Sequence, residues 1–218
     1  MKHPAKFTDA FFDIFYDMLR GSKNVLDPFA GTGKIGKLKE FGFDGTIYAN
    51  EIEEEWLSPN EYHCDVLSYC DAEFMDYPDG FFDAICTSPT YGNRMADHHN
   101  AKDGSKRITY THCLGRQLTE GNTGNMHWGV EYIRKHRQIY SNLARMIKPG
   151  GKFVLNVKNH IRRGKEVDVT SFHIAELRKN GFYVAEIRLV KTPGLKYGAN
   201  ASKRMDEECI VLLIKGCL

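Results

Sequence analysis

Residues 24–36 read Asn24-Val-Leu-Asp27-Pro-Phe-Ala-Gly31-Thr-Gly33-Lys-Ile-Gly36. A short apolar run enters a glycine turn, and amphipathic sequence follows to about Phe41. The turn matches G-x-G-x-x-G between a strand and a helix, and Glu51 lies about 20 residues beyond Gly31, where a ribose-binding acid belongs. Gly45–Asn50 predicts the next strand, ending at Glu51, and Phe81–Thr87 a further one, ending at Ser88-Pro89. Residues 130–146 carry helical spacing up to Lys148-Pro-Gly-Gly. Lys152–Val157 predicts a strand, 170–180 a helix, and Phe182–Val190 and Cys209–Ile214 the last strands. Near the start, Phe11, Phe12, Phe15, Tyr16 and Leu19 fall at helical spacing over 8–20, with Thr8 as an N-cap. Alternating strand and helix predicts an α/β fold: a doubly wound, mostly parallel sheet with ligands at the carboxyl ends of its strands.

The 218 residues suit one domain, with 42% hydrophobic, 27% charged and 12% aromatic residues. That composition excludes disordered and fibrous chains. No apolar run approaches the roughly 18 residues of a membrane span. The N-terminus lacks the apolar stretch and cleavage site of a secretory signal. The six cysteines form no CxxC pair or regular framework, which predicts reduced thiols in a cytoplasmic protein. Charge is uneven: residues 1–91 hold 7 Lys/Arg and 17 Asp/Glu, residues 92–218 hold 23 and 11. A basic half in a near-neutral chain points one face at a polyanion.

What could the glycine turn hold? A Walker A loop would need Gly at 28 and Ser or Thr at 35, where the chain has Pro28 and Ile35. A nicotinamide dinucleotide needs a bare helix N-terminus for its pyrophosphate, which Asp27 would repel. The same carboxylate suits a cationic ligand carrying an ammonium and a sulfonium. Asp65, in His63-Cys-Asp-Val66, is read as following the third strand, where it would accept from an adenine amino group.

The second motif is Phe82-Asp-Ala-Ile-Cys-Thr87-Ser88-Pro89-Thr90-Tyr91. A base amino group is a poor nucleophile because its lone pair is delocalised into the ring. Two acceptors on its hydrogens, Ser88 Oγ and the Pro89 carbonyl, would draw it towards tetrahedral geometry. Tyr91 would stack on a base taken out of its helix. An isolated S-P-x-Y is equally a plain turn with a packing tyrosine.

Together these segments resemble the amino-specific, S-adenosylmethionine-dependent DNA methyltransferases of the N4-cytosine/N6-adenine type, as in bacteria and phages. His3-Pro-Ala-Lys-Phe7 is similar to the motif touching the methionine end of the cofactor. Asp27–Gly33 is similar to the cofactor loop, and Thr87–Tyr91 to the catalytic (Asn/Asp/Ser)-Pro-Pro-aromatic motif. Lys148-Pro-Gly-Gly151 also fits the Rossmann-like class I methyltransferase fold. The resemblance implies S-adenosylmethionine as cofactor, held by Phe7, Thr8, Asp27, Phe29, Gly31, Gly33, Glu51, Ile52, Asp65 and Val66. It implies Ser88, Pro89 and Tyr91 as the catalytic group, without metal. Serine at the first catalytic position favours cytosine N4 over adenine N6. Thr90 replaces the motif's second proline, which leaves the turn less constrained and adds a backbone N–H.

Residues 92–128 carry little aliphatic periodicity and are rich in Gly, Asn, His, Lys and Arg. Such a long loop is the candidate target-recognition insert. Arg94, Lys102, Lys106, Arg107 and Arg116 would hold phosphates, with Lys196 from the loop 191–204, and Asn93, Asn100 and Gln117 would reach base edges. Arg162, Arg163 and Lys165 add charge after the Val157 strand. His98, His99, His112, Cys113 and His127 fit no zinc spacing. The expected partner is double-stranded DNA with a flipped base. The short insert implies a short or degenerate recognition sequence, or help from a second copy or partner subunit. Such a compact enzyme resembles those that act without the matched nuclease of a restriction-modification pair. RNA base-amino methylation, a protein glutamine as substrate, a DNA-binding subunit that keeps the fold without turnover, and nicotinamide-dependent redox chemistry are the competing readings.

Overall fold

The computed structural model describes residues 7–92, 109–162, 164–192 and 205–217. Among these residues seven strands form one sheet: β1 (Asn24–Asp27), β2 (Thr46–Asn50), β3 (Val66–Ser68), β4 (Phe82–Thr87), β5 (Ile147–Val157), β8 (Phe182–Lys191) and β9 (Glu207–Lys215). Their order is β3-β2-β1-β4-β5-β9-β8. The pairs from β3 to β5 are parallel, and β9 runs antiparallel to both neighbours. Order therefore reverses at β1, which lies between β2 and β4, and a doubly wound sheet opens its ligand crevice at such a reversal.

Both faces are covered. Helix α1 (Phe12–Leu19) and the 3-10 helix Lys34–Phe41 close one face, where Phe12, Phe15, Leu19, Ile35 and Leu38 pack on Val25, Ile47, Ala84 and Val154. Helices α4 (Val130–Met146) and α5 (Val169–Lys179) close the other, with Ile139, Tyr140, Leu143 and Leu177 against Leu26, Ile85, Phe153 and Leu155. Short central strands buried on both faces read as apolar runs, and β1 and β4 do so here. Among the described residues no helix is long and apolar enough to cross a membrane.

Several details depart from the pattern reading. Thr8 precedes a short 3-10 turn, and its side chain makes no capping hydrogen bond. Residues 34–41 wind as a 3-10 helix. The Lys148-Pro-Gly-Gly stretch lies within β5, where the ladder steps from Phe82↔Ile147 to Ala84↔Lys152, and Gly150 at φ +75° makes the bend. A small hairpin, β6 (His160–Arg162) with β7 (Lys165–Val167), follows β5. The described part of the insert is folded: α3 (Tyr110–Leu114) and Leu118 pack on Trp56 of α2 (Glu54–Leu57).

Gly36, third glycine of the turn motif, allows a close approach. A Cβ there would stand 2.0 Å from the carbonyl oxygen of Tyr62 and 2.8 Å from its carbon. Both atoms are backbone, so Gly36→Ala is expected to cost about 1–3 kcal/mol. A lower urea midpoint at unchanged m-value would show it; an unchanged midpoint would refute the contact.

Candidate active site

The crevice is built from strand ends on either side of the reversal. Asp27 ends β1 and is fully buried. Its Oδ1 accepts from Thr87 Oγ1 (2.6 Å), at the end of β4, and from the Phe29 amide (3.1 Å). Its Oδ2 has no hydrogen-bond partner among the described residues. Burial pushes the Asp27 carboxyl up to about 7, against the lowering effect of the Thr87 and Phe29 bonds.

The glycine turn is held from β2. Asn50 ends that strand, and its Nδ2 donates to the carbonyls of Pro28 (3.3 Å) and Cys70 (2.9 Å). Glu51 follows: Oε2 accepts from the Gly31 amide (2.8 Å), Oε1 from the Glu53 amide (3.1 Å). Burial raises the Glu51 carboxyl to about 7, opposed by these two backbone bonds. Gly31 and Gly33 sit at φ +54° and +74°, in the left-handed region that favours glycine. Phe7 packs on Phe15 with ring centres 5.1 Å apart, and Lys34 Nζ donates to its carbonyl (2.6 Å), so the segment before α1 lies against the helix after the turn. Thr8 is exposed. Beside Glu51, Ile52 lines an open cleft of about 440 Å³ together with Glu54, Glu55, Ser58 and Arg116.

The second turn follows Thr87. Ser88 is half-buried and Pro89 buried. Ser88 Oγ lies 3.3 Å from Tyr91 Oη, which is itself half-buried and packed on the core. Thr90 Oγ1 is 2.5 Å from Thr123 Oγ1 of the insert, and Tyr132 Oη of α4 donates to the Thr90 carbonyl. One position past the paired residues Thr87 and Leu155 stands Asn156, buried, with Oδ1 unpartnered among the described residues and Nδ2 donating to Glu208 Oε2 (3.2 Å).

Thus Asp27, Phe29, Gly31, Gly33, Glu51, Ser88 and Pro89 gather at the carboxyl ends of β1, β2 and β4. Asp65 and Val66 do not join them. β3 begins at Val66, so Asp65 precedes the strand instead of following it. Its Oδ2 accepts from the Ile47 amide (2.7 Å) and pairs with Lys39 (2.9 Å), at the amino end of the sheet. The acid past the carboxyl end of β3 is Asp71, which caps a 3-10 turn at Glu73 and pairs with Lys135. Arg116 is likewise committed: its guanidinium pairs with buried Glu53 (2.8 Å) and with Glu55 (2.7 Å). Two carboxylates neutralise it, which removes it as a phosphate contact. Arg94, Lys102, Lys106, Arg107 and Lys196 lie outside the described residues, as do Asn93, Asn100 and Arg163. Sequence reading missed Glu53, Tyr132, His136 and His173. Tyr132, His136 and His173 have the spacing of ordinary core positions on α4 and α5, Glu53 stands just before α2 among other glutamates, and nothing local marks the polar atoms they bring inside.

No protein-family model matches the chain, and no curated protein sequence matches it. Solved structures do. The [4+2]-cyclase SpnF is similar at TM-score 0.59 and 14% identity, over 96% of this chain and 82% of that one. A SAM-dependent methyltransferase from Methanosarcina mazei gives TM-score 0.59 and 10% identity, over 98% and 100%. The Burkholderia thailandensis 1,6-didemethyltoxoflavin-N1-methyltransferase, solved with S-adenosylhomocysteine, gives TM-score 0.54 and 15% identity, over 96% and 78%. At such identities the likeness shows the fold, the Rossmann-like class I methyltransferase fold. The cyclase among these three is a reason to argue function from the site.

Proposed function

We propose that the chain transfers a methyl group from S-adenosylmethionine to an exocyclic amino group of a base in double-stranded DNA, cytosine N4 favoured over adenine N6. One juxtaposition carries the reading. A buried carboxylate with an unpartnered oxygen, Asp27, is hydrogen-bonded to Thr87, and Thr87 leads directly into Ser88-Pro89. That carboxylate suits a cation, and the turn after Thr87 presents two acceptors, one and two residues further on.

The residues fit S-adenosylmethionine. The unpartnered Oδ2 of Asp27 suits the ammonium of its methionine end, and Phe7 and Thr8 precede the helix over that side. Gly31 and Gly33 keep the turn free of side chains, Phe29 and Ile52 offer apolar surface, and Glu51 keeps lone pairs for ribose hydroxyls. When bound, the cofactor supplies a methyl group on a sulfonium, ready for in-line displacement. The chain's own contribution is positional. Ser88 Oγ and the Pro89 carbonyl accept the two amino hydrogens and free the nitrogen lone pair. Tyr91 supplies a ring for the extruded base. The amino proton becomes acidic only after attack, so water suffices to take it.

Purified protein, tritiated S-adenosylmethionine and unmethylated DNA, digested to nucleosides, test the reading. Label in N4-methylcytosine is expected. Label in N6-methyladenine would keep the mechanism and remove the serine argument; label in RNA alone would move the substrate. No transfer to any nucleic acid would overturn the proposal. Ser88→Ala deletes one of the two acceptors, and kcat is expected to fall about tenfold with S-adenosylmethionine affinity unchanged. Unchanged turnover in that variant would exclude Ser88 from the reaction.

A further inference from the structure

We infer that Tyr132, His173 and Tyr140 form a buried positioning relay that fixes the Thr90 carbonyl, and with it the Ser88–Tyr91 turn, in place of the rigidity a second proline would give. The catalytic meaning of that turn rests on the function proposed above; the relay itself does not.

Every proton in the relay has one place to be. Tyr132 Oη donates to the Thr90 carbonyl, which can only accept (2.5 Å). Its single proton is then used, so the contact with His173 Nε2 at 3.1 Å requires the ring nitrogen to donate. Burial pushes His173 well below its ordinary value, so the ring is neutral and carries one proton, on Nε2. Nδ1 therefore accepts, and Tyr140 Oη supplies that bond at 2.5 Å. Donation runs one way, from Tyr140 through His173 and Tyr132 to Thr90. All three side chains are fully buried, on α4 and α5. Phenylalanine and leucine would fill the same space, so packing alone does not call for these groups.

Two further contacts tie the relay to the turns. Thr90 Oγ1 meets Thr123 Oγ1 at 2.5 Å, which only a hydroxyl at position 90 can do. One helical turn beyond Tyr132, His136 donates Nδ1–H to the Tyr132 carbonyl (3.0 Å), and its ring stacks on Phe29 at 5.9 Å and 24°. Helix α4 thus contacts the turn after β4 through Tyr132 and the turn after β1 through His136. A proline at 90 would restrict the backbone by its ring. Threonine leaves that freedom, and hydrogen bonds from outside remove it.

Hydrogen exchange of the Ser88, Tyr91 and Gly92 amides tests this independently of chemistry. Tyr132→Phe keeps the ring and deletes the bond; exchange at these amides is expected to rise about tenfold, with global urea stability measured alongside. Adding Thr90→Pro to Tyr132→Phe is expected to restore protection and raise kcat again, a rescue that a packing role would not give. Tyr140→Phe, which leaves Tyr132 in place, is expected to act in the same direction more weakly, and serves if Tyr132→Phe does not fold. Long-range proton–nitrogen spectra should show His173 neutral with its proton on Nε2 between pH 5 and 8. Unchanged exchange in both phenylalanine variants, or a His173 proton on Nδ1, would overturn the inference. If exchange behaves as expected while the wild-type chain methylates no nucleic acid, the relay stands and the function proposed for the turn falls.

Discussion

Asp27→Asn is expected to weaken S-adenosylmethionine binding about hundredfold. The substitution is isosteric, and an amide oxygen still accepts from Thr87 and Phe29, so the turn should survive. What disappears is the carboxylate's negative charge behind the unpartnered Oδ2. A hydrogen bond to a charged group is worth roughly 1.5–3 kcal/mol, and the upper end corresponds to about two decades. The pH dependence gives a second, independent sign. Burial raises Asp27 to about 7, above the ordinary carboxylate range. The free native protein then holds a proton that the unfolded chain has lost, so this group's effect on stability turns unfavourable as pH rises from about 4 towards 7. A cationic ligand needs the ionised form, so affinity should move the other way and tighten about tenfold between pH 6 and 8. Glu51, also raised to about 7, adds a share of its own. Calorimetry in buffers of different ionisation enthalpy should find protons released on binding, fewer by up to one per site in Asp27→Asn. Equal affinity and equal proton release in the two proteins would remove Asp27 from the cofactor site.

The parts legible in the sequence were those whose signal is local. Asn24–Gly36 carries strand, turn and helix in one stretch, and the strands on either side of the reversal are apolar because they are buried on both faces. Helix α4 was legible to the residue because seventeen positions carry one period and the chain bends immediately after it. Asp65 was misplaced for the opposite reason. β3 is three residues long with no residue classed as fully buried, so nothing in its composition says which side of Asp65 it lies on. The folded half of the insert was illegible because few of its anchors are aliphatic. Tyr110 and Leu118 supply its apolar contact, and polar bonds to Glu53 supply the rest. The relay shows the same limit. Tyr132, His136 and Tyr140 recur every four residues like any core stripe, and only coordinates show where their hydroxyl and ring protons point.

Glu53→Ala is expected to cost about 2–4 kcal/mol, the range for donors that lose a charged acceptor inside the fold. Glu53 is fully buried, and its carboxylate serves four donors: the Thr119 amide (2.8 Å), Thr119 Oγ1 (2.9 Å), Asn122 Nδ2 (2.7 Å) and Arg116 Nη2 (2.8 Å). Arg116 keeps Glu55 in the variant, so the arginine is not the main loss. The buried Asn122 side chain loses its acceptor, and the amide of the exposed Thr119 loses one that water can partly replace. For a chain of this size the midpoint of thermal unfolding should fall by about 10 °C. The damage should not stay local. The backbone amide of Glu53 donates to Glu51, and Glu51 holds Gly31, so the carboxylates after β2 join the cofactor turn to the insert. Thr123, next after Asn122, meets Thr90. Releasing residues 116–123 should therefore loosen the Ser88–Tyr91 turn, and hydrogen exchange should rise at both segments in Glu53→Ala. Glu53→Gln separates the roles of charge and shape. Its amide oxygen can still accept from Thr119, while its NH2 group faces a guanidinium, so an intermediate loss is expected. If exchange rises across 116–123 alone, the insert is anchored at Glu53 without bearing on the turn, and Thr90 depends on Tyr132 by itself.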